Sequence, residues 1–150
     1  MMNQDAILFI DIDDSASTRY RYREPHFAVA REQGLKCLTA GLLGRHHLQR
    51  LCDDSDQVFL LETLSETAIL ELIGELDGRY NVRAIFCQAG HPSAQGEVGC
   101  IVARVCQQLG LVYSRPDAIA VCNNKFLMRG VLKQHGLRSV PSALCNNEQE

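Results

Sequence analysis

Ser114-Arg-Pro-Asp-Ala-Ile-Ala-Val-Cys-Asn-Asn-Lys-Phe-Leu-Met-Arg-Gly-Val-Leu-Lys-Gln-His-Gly-Leu-Arg-Ser-Val-Pro141 is the stretch on which the fold of this chain turns. Its pattern predicts two short helices. Pro116 suits a first helical position, where its missing N–H costs nothing and its φ is already helical, with Ser114 or Arg115 ahead of it. Asn123 or Asn124 is placed to cap the second helix, because an asparagine oxygen accepts from the free N–H groups of a first turn. In that helix Met128, Val131, Leu132 and His135 recur at the spacing of one face. His135 on this face reads as a partly buried packing residue. Gly136 supplies the left-handed residue that ends many helices. Residues 137–140 then leave in extended form, since a residue before proline avoids the α region.

Upstream, apolar runs alternate with helical periodicity. Residues 6–10 are a continuous apolar run, the pattern of a strand buried on both faces of a parallel sheet. A polar loop, 11–17, follows. Residues 25–33 read as a helix stopped by Gly34, and 35–40 as a second strand. Residues 44–51 are a short helix or a loop, and 53–56 are turn chemistry. Gln57–Leu61 is a third strand. Ser65 caps a helix with Ile69, Leu72, Ile73 and Leu76 on its apolar face. Residues 82–87 form a fourth strand. Ser93 caps the longest helix, striped by Val98, Ile101, Val102, Val105 and Leu109 and stopped by Gly110. Residues 111–113 are a short extended piece. Strands alternating with helices in this way predict an α/β fold: a parallel sheet of four to five strands, helices on both faces and right-handed crossovers. In such sheets ligands bind beyond the carboxyl ends of the strands.

Asn124-Lys125, then Met128-Arg129, then Leu132 and the ending Gly136-Leu-x-x-Val-Pro141 resemble the junction between the first domain and the ATP-binding domain of ATP-grasp ligases. The passage 53–72 looks like that family's aspartate, apolar strand, acidic-threonine pair and serine-opened helix. Residues 97–111 look like the helix before its glycine-leucine turn. The likeness is nearest to the carboxylate–amine ligases that join L-amino acids into dipeptides. It implies that residues 1–141 are a Rossmann-like pre-ATP-grasp domain, and that 142–150 begin the ATP-grasp domain or form a frayed tail. In the complete enzyme it implies ATP and Mg2+, phosphorylation of a carboxylate, and attack of an amine on the acyl phosphate. Lys125 would reach ATP from the N-terminal side of the cleft. Asp13, Asp14, Ser15 and His91 are candidates for the substrate cleft. The domain would form one wall of that cleft, and a homodimer interface is common at this position. The glycine-rich lid, its phosphate-binding lysine and the acidic magnesium ligands of the family do not occur in these residues, so the chain is expected to be inactive alone.

The residues themselves support part of this. An ammonium at a helix start is a point-charge partner for phosphate, with backbone N–H groups beside it. The competing reading of Lys125 is a solvated surface lysine. Arg129, one turn on, would pair with a carboxylate of another domain or lie free on the surface. The Asp11-Ile-Asp13 pair after the first strand resembles the opening motif of haloacid-dehalogenase-type phosphatases, in which the first aspartate attacks phosphorus. That family's glycine-threonine is missing here, and no paired acidic motif follows a later strand. A third reading is a free-standing small-molecule-binding or interaction domain. No G-x-G-x-x-G fingerprint, Walker-type loop or G-x-S-x-G elbow is present. Arg45-His46-His47 reads as a polar loop, since adjacent residues on a helix diverge. Cys87, at a strand end, would need a depressed pKa to act as a nucleophile.

Composition narrows the rest. The 150 residues are 46% hydrophobic and 22% charged with a net charge of −3, ordinary for one globular domain. No basic stripe suits nucleic acid. No apolar run spans a bilayer. The first residues lack the basic and apolar regions of a signal peptide, which places the chain in the cytoplasm. Seven cysteines, none spaced C-x-x-C, read as buried free thiols.

Overall fold

The structure, a computed structural model, describes residues 3–11, 20–43, 55–88 and 92–141. Among the described residues four strands form one sheet: β1 Gln4–Asp11, β2 Lys36–Leu42, β3 Gln57–Leu61 and β4 Tyr80–Gln88. Their order is β3-β2-β1-β4, and every pairing is parallel. Five helices accompany them: α1 Tyr20–Glu32, α2 Glu66–Leu76, α3 Pro92–Leu109, α4 Pro116–Asn123 and α5 Lys125–Gln134. This is the expected α/β architecture. Among the described residues no helix is long and apolar enough to cross a membrane.

The unbroken apolar run of β1 is explained by its position inside the sheet. Successive side chains point to opposite faces. Ala6, Leu8 and Ile10 enter one cluster, with Leu38 and Ala40 of β2, Ile69, Leu72 and Leu76 of α2, and Val98, Ile101, Val102 and Val105 of α3. Phe9 enters a smaller cluster on the other face, with Cys37 of β2 and Phe27 and Ala30 of α1. The Phe9 and Phe27 rings stack with centroids 4.2 Å apart. Each fully buried large side chain contributes about 1.5–3 kcal/mol. The heavier cluster, under two helices, therefore dominates the stability.

Local signals place the helix ends. Ser65 caps α2, its Oγ accepting from the Ala68 N–H at 3.1 Å. Pro116 opens α4 after Arg115. Asn124, not Asn123, caps α5. Gly110 turns the chain after α3 with φ +67°.

The structure departs from the sequence reading at several elements. α1 begins at Tyr20, upstream of Pro25, so the proline lies inside the helix. Proline there removes one backbone hydrogen bond, a cost that a 13-residue helix anchored by Phe27 and Ala30 absorbs. α3 begins at Pro92, so Ser93 is its second residue and not its cap; proline's fixed φ suits the first helical position. Residues 111–113 form no strand, and among the described residues the sheet has four strands. Leu111 and Tyr113 pack on the large cluster while Val112 is 96% exposed. The segment is a strap held by alternate side chains and not by a ladder of backbone bonds. His135 is exposed at the end of α5, not partly buried, and Val131 on the same predicted face is 39% exposed.

Candidate functional site

The carboxyl edge of the sheet is built by the ends of its two central strands and their neighbours. Asp11, the last residue of β1, lies in register with Gly41 of β2 and Gln88 of β4. The segments that leave this edge contain Asp13, Asp14, Ser15 and His91, and also Arg45, His46 and His47. All of these lie outside the described residues.

Cys87, one residue before the end of β4, is half-buried, and burial pushes its thiol up to about 12. A thiol in that range is protonated at neutral pH and is a poor nucleophile. Cys106 on α3 is fully buried and pushed up to about 11 for the same reason. Tyr113 faces both, and burial followed by those two neighbours raises it to about 12. These groups form a packed, neutral corner under the strap.

β2 and the segment entering β3 are tied by a polar latch. Asp56 Oδ2 accepts from the Cys37 N–H at 2.8 Å, and Asp56 Oδ1 accepts from Lys36 Nζ at 2.9 Å. Burial alone would raise the Asp56 carboxyl; the Cys37 N–H and the Lys36 ammonium outweigh it and hold the group below its usual value. Thr39 Oγ1 and Ser55 Oγ share a 2.6 Å hydrogen bond. The aspartate cluster 53–56 read as turn chemistry, so Asp56 was recognisable as polar but not as the residue that fixes where β3 begins.

Lys125 stands, exposed, at the first position of α5. Asn124 Oδ1 accepts from the N–H groups of both Phe126 and Leu127 at 3.1 Å. Two of the N–H groups expected beside Lys125 are therefore taken by the cap. The ammonium and the Lys125 N–H remain for an anion. Arg129 and Lys133 continue from Lys125 at one-turn intervals, and none of the three carries an ion pair among the described residues.

Two grooves are lined by described residues, one of them at the carboxyl end of β3. One, of about 620 Å³, runs between α5 and residues 137–141 and is lined by Phe126, Arg129, Gly130, Lys133, Leu137 and Val140. The other, of about 380 Å³, lies between β3 and α2 and is lined by Leu60, Glu62, Thr63, Glu71 and Glu75. Sequence reading missed both. The available signal was the one-turn spacing of like charges, Glu71 with Glu75 and Arg129 with Lys133.

The sequence matches no family model and no curated protein. Among solved structures the chain is similar to the L-amino acid ligase from Bacillus licheniformis, with a TM-score of 0.61 and 17% identity over 91% of this chain. At that identity the likeness is one of fold. The chain spans 31% of the length of that ligase.

Proposed function

We propose that this chain is the N-terminal part of an ATP-dependent carboxylate–amine ligase and forms one wall of the cleft for ATP and an amino acid substrate. The observation that carries the reading is the fold likeness to an L-amino acid ligase, which extends through 91% of the chain. The form of α4 and α5 agrees with it. Neither helix has a buried residue, yet Leu127 and Val131 on α5 are 50% and 39% exposed. Apolar side chains one turn apart, turned to solvent, suit a face covered by the next part of an enzyme.

In such a ligase a carboxylate takes the γ-phosphoryl group of ATP, ADP leaves, and an amine displaces phosphate from the acyl phosphate. Magnesium, entering with the nucleotide, neutralises charge on the phosphates. The described residues of this chain contribute no step of that chemistry. Lys125 supplies a mobile positive charge toward the nucleotide phosphates. The residues that follow β1 and β4 in the sequence, with Asp13, Asp14, Ser15 and His91, shape the substrate side. Residues 1–141 act as one domain, with 142–150 leading into the next.

The reading is tested on the protein from its own cells. Its mass is expected to lie well above the 16.7 kDa of these residues. The complete protein is expected to release ADP and phosphate only when given amino acids. Lys125→Ala should raise the KM for ATP about tenfold, the worth of one charge-assisted contact, with little change in kcat. A native mass of 16.7 kDa, or an intact protein with no amino-acid-dependent ATP turnover, overturns it.

A further inference from the structure

Four ion pairs join charged side chains among the described residues. Lys36 meets Asp56, Arg83 meets Asp5, Arg104 meets Glu66 and Arg115 meets Asp117. The unpaired charges that line the two grooves are segregated by sign. Glu62, Glu71 and Glu75 line the groove between β3 and α2. Arg129 and Lys133 line the groove beside α5. None of these five has a hydrogen bond or ion pair among the described residues.

The two grooves are complementary in two respects. Each carries a pair of like charges one turn apart on a helix, Glu71 and Glu75 on α2 against Arg129 and Lys133 on α5. Residues at that spacing lie side by side about 5–6 Å apart on either helix, so the two pairs can meet in register. Each groove also exposes apolar surface beside the charges: Leu60 at 44% in the acidic one, Phe126 at 42%, Leu137 at 57% and Val140 at 62% in the basic one.

We propose that the basic groove of one copy of this chain docks on the acidic groove of a second copy, head to tail. The occupant is a second copy because every copy carries both halves of the match. A symmetric pairing through the outer edge of β3 is disfavoured, since it would set Glu62, Glu71 and Glu75 of one copy near the same carboxylates of the other. The surface does not depend on the ligase reading. Leu127 and Val131 do not line the basic groove and stay free for a contact within one enzyme. A head-to-tail contact between two different patches does not close on itself unless its rotation makes a ring. Association should therefore grow stepwise with concentration. Exposed charge pairs are worth little and are screened by salt, so the contact is weak and salt-sensitive.

The test is sedimentation of the purified 150-residue chain over a concentration series, in about 20 mM and about 500 mM salt, where the screening lengths differ several-fold. At low salt the weight-average mass is expected to climb past twice 16.7 kDa, and to return to 16.7 kDa at high salt. The double variants R129E/K133E and E71K/E75K should each remain monomeric at low salt. Mixed together they should associate, because each then offers charges the other lacks. Glu71, Glu75 and Lys133 are exposed and Arg129 is half-buried, so K133E alone replaces the first variant if its circular dichroism departs from the parent's. A monomer at every concentration overturns the proposal. So does association that survives either charge reversal, or a mixture of variants that stays monomeric.

Discussion

The sheet with α1 to α3 and the hairpin of α4 and α5 are held by different physics. In the sheet body, Leu8, Leu38, Ile69, Leu76, Val102 and Val105 are fully buried. In the hairpin no residue is buried. The hairpin is held by caps and by the packing of α4 on α3. A Cβ placed on Gly99 of α3 would lie 3.4 Å from Ile119 of α4, and the Cys100 thiol reaches the Pro116 carbonyl at 3.8 Å. Helices of 8 and 10 residues are too short to persist alone in water. The difference teaches that the body is a finished core, whereas the hairpin is a local structure that leaves Phe126, Leu127 and Val131 turned outward.

Core truncation should separate the two regions most sharply. Leu38→Ala removes a fully buried side chain beneath two helices. It is expected to cost about 2–5 kcal/mol in urea unfolding, the range for cavity-forming leucine changes. Val131→Ala in the hairpin should stay within about 0.5 kcal/mol. Equal losses at the two sites would mean that the hairpin shares the core.

The next effect is alkaline, and it belongs to the body alone. Cys87, Cys106 and Tyr113 are raised to about 12, about 11 and about 12, chiefly by burial. A group whose folded pKa lies above its unfolded value favours the folded state below the unfolded pKa. That contribution is lost as pH rises toward the folded pKa. Stability should therefore be flat up to about pH 8.5 and fall by a few kcal/mol, in order of magnitude, between about pH 9 and 12. Cys87→Ala should make that fall shallower. A stability curve that rises through this interval would contradict the packed, neutral corner.

Much of this division was legible in the sequence. The continuous run 6–10 announced a strand buried on both faces, and Ser65, Pro116, Asn124 and Gly136 marked helix ends by mechanisms that need only a few neighbouring residues. What depended on distant partners was not legible. Whether residues 111–113 pair as a strand depends on backbone bonds to another segment, and side-chain pattern alone does not supply them. Pro25 was read as a helix start because local rules say so, while anchoring by Phe27 and Ala30 carries the helix past it. For the site, Lys125 was placed correctly at the first turn of α5. That its neighbouring N–H groups belong to Asn124 required coordinates. So did the sorting of Glu62, Glu71 and Glu75 from Arg129 and Lys133 into two grooves.

The smallest effect is also the most local. Asn124→Ala leaves the amides of Phe126 and Leu127 without an acceptor from the cap. Loss of such a cap costs about 1 kcal/mol. Because the hairpin has no fully buried residue, that cost should fall on the hairpin's own opening and hardly on global unfolding. Hydrogen exchange at Phe126 and Leu127 is expected to quicken about five-fold, the rate equivalent of about 1 kcal/mol. Exchange in β1 should stay unchanged, and Asn124→Asp should restore protection, since a carboxylate caps equally well and is favoured at a helix start. If exchange in β1 quickened by the same factor, hairpin and sheet would open as one unit. The contrast between a finished core and an outward-facing hairpin would then fail.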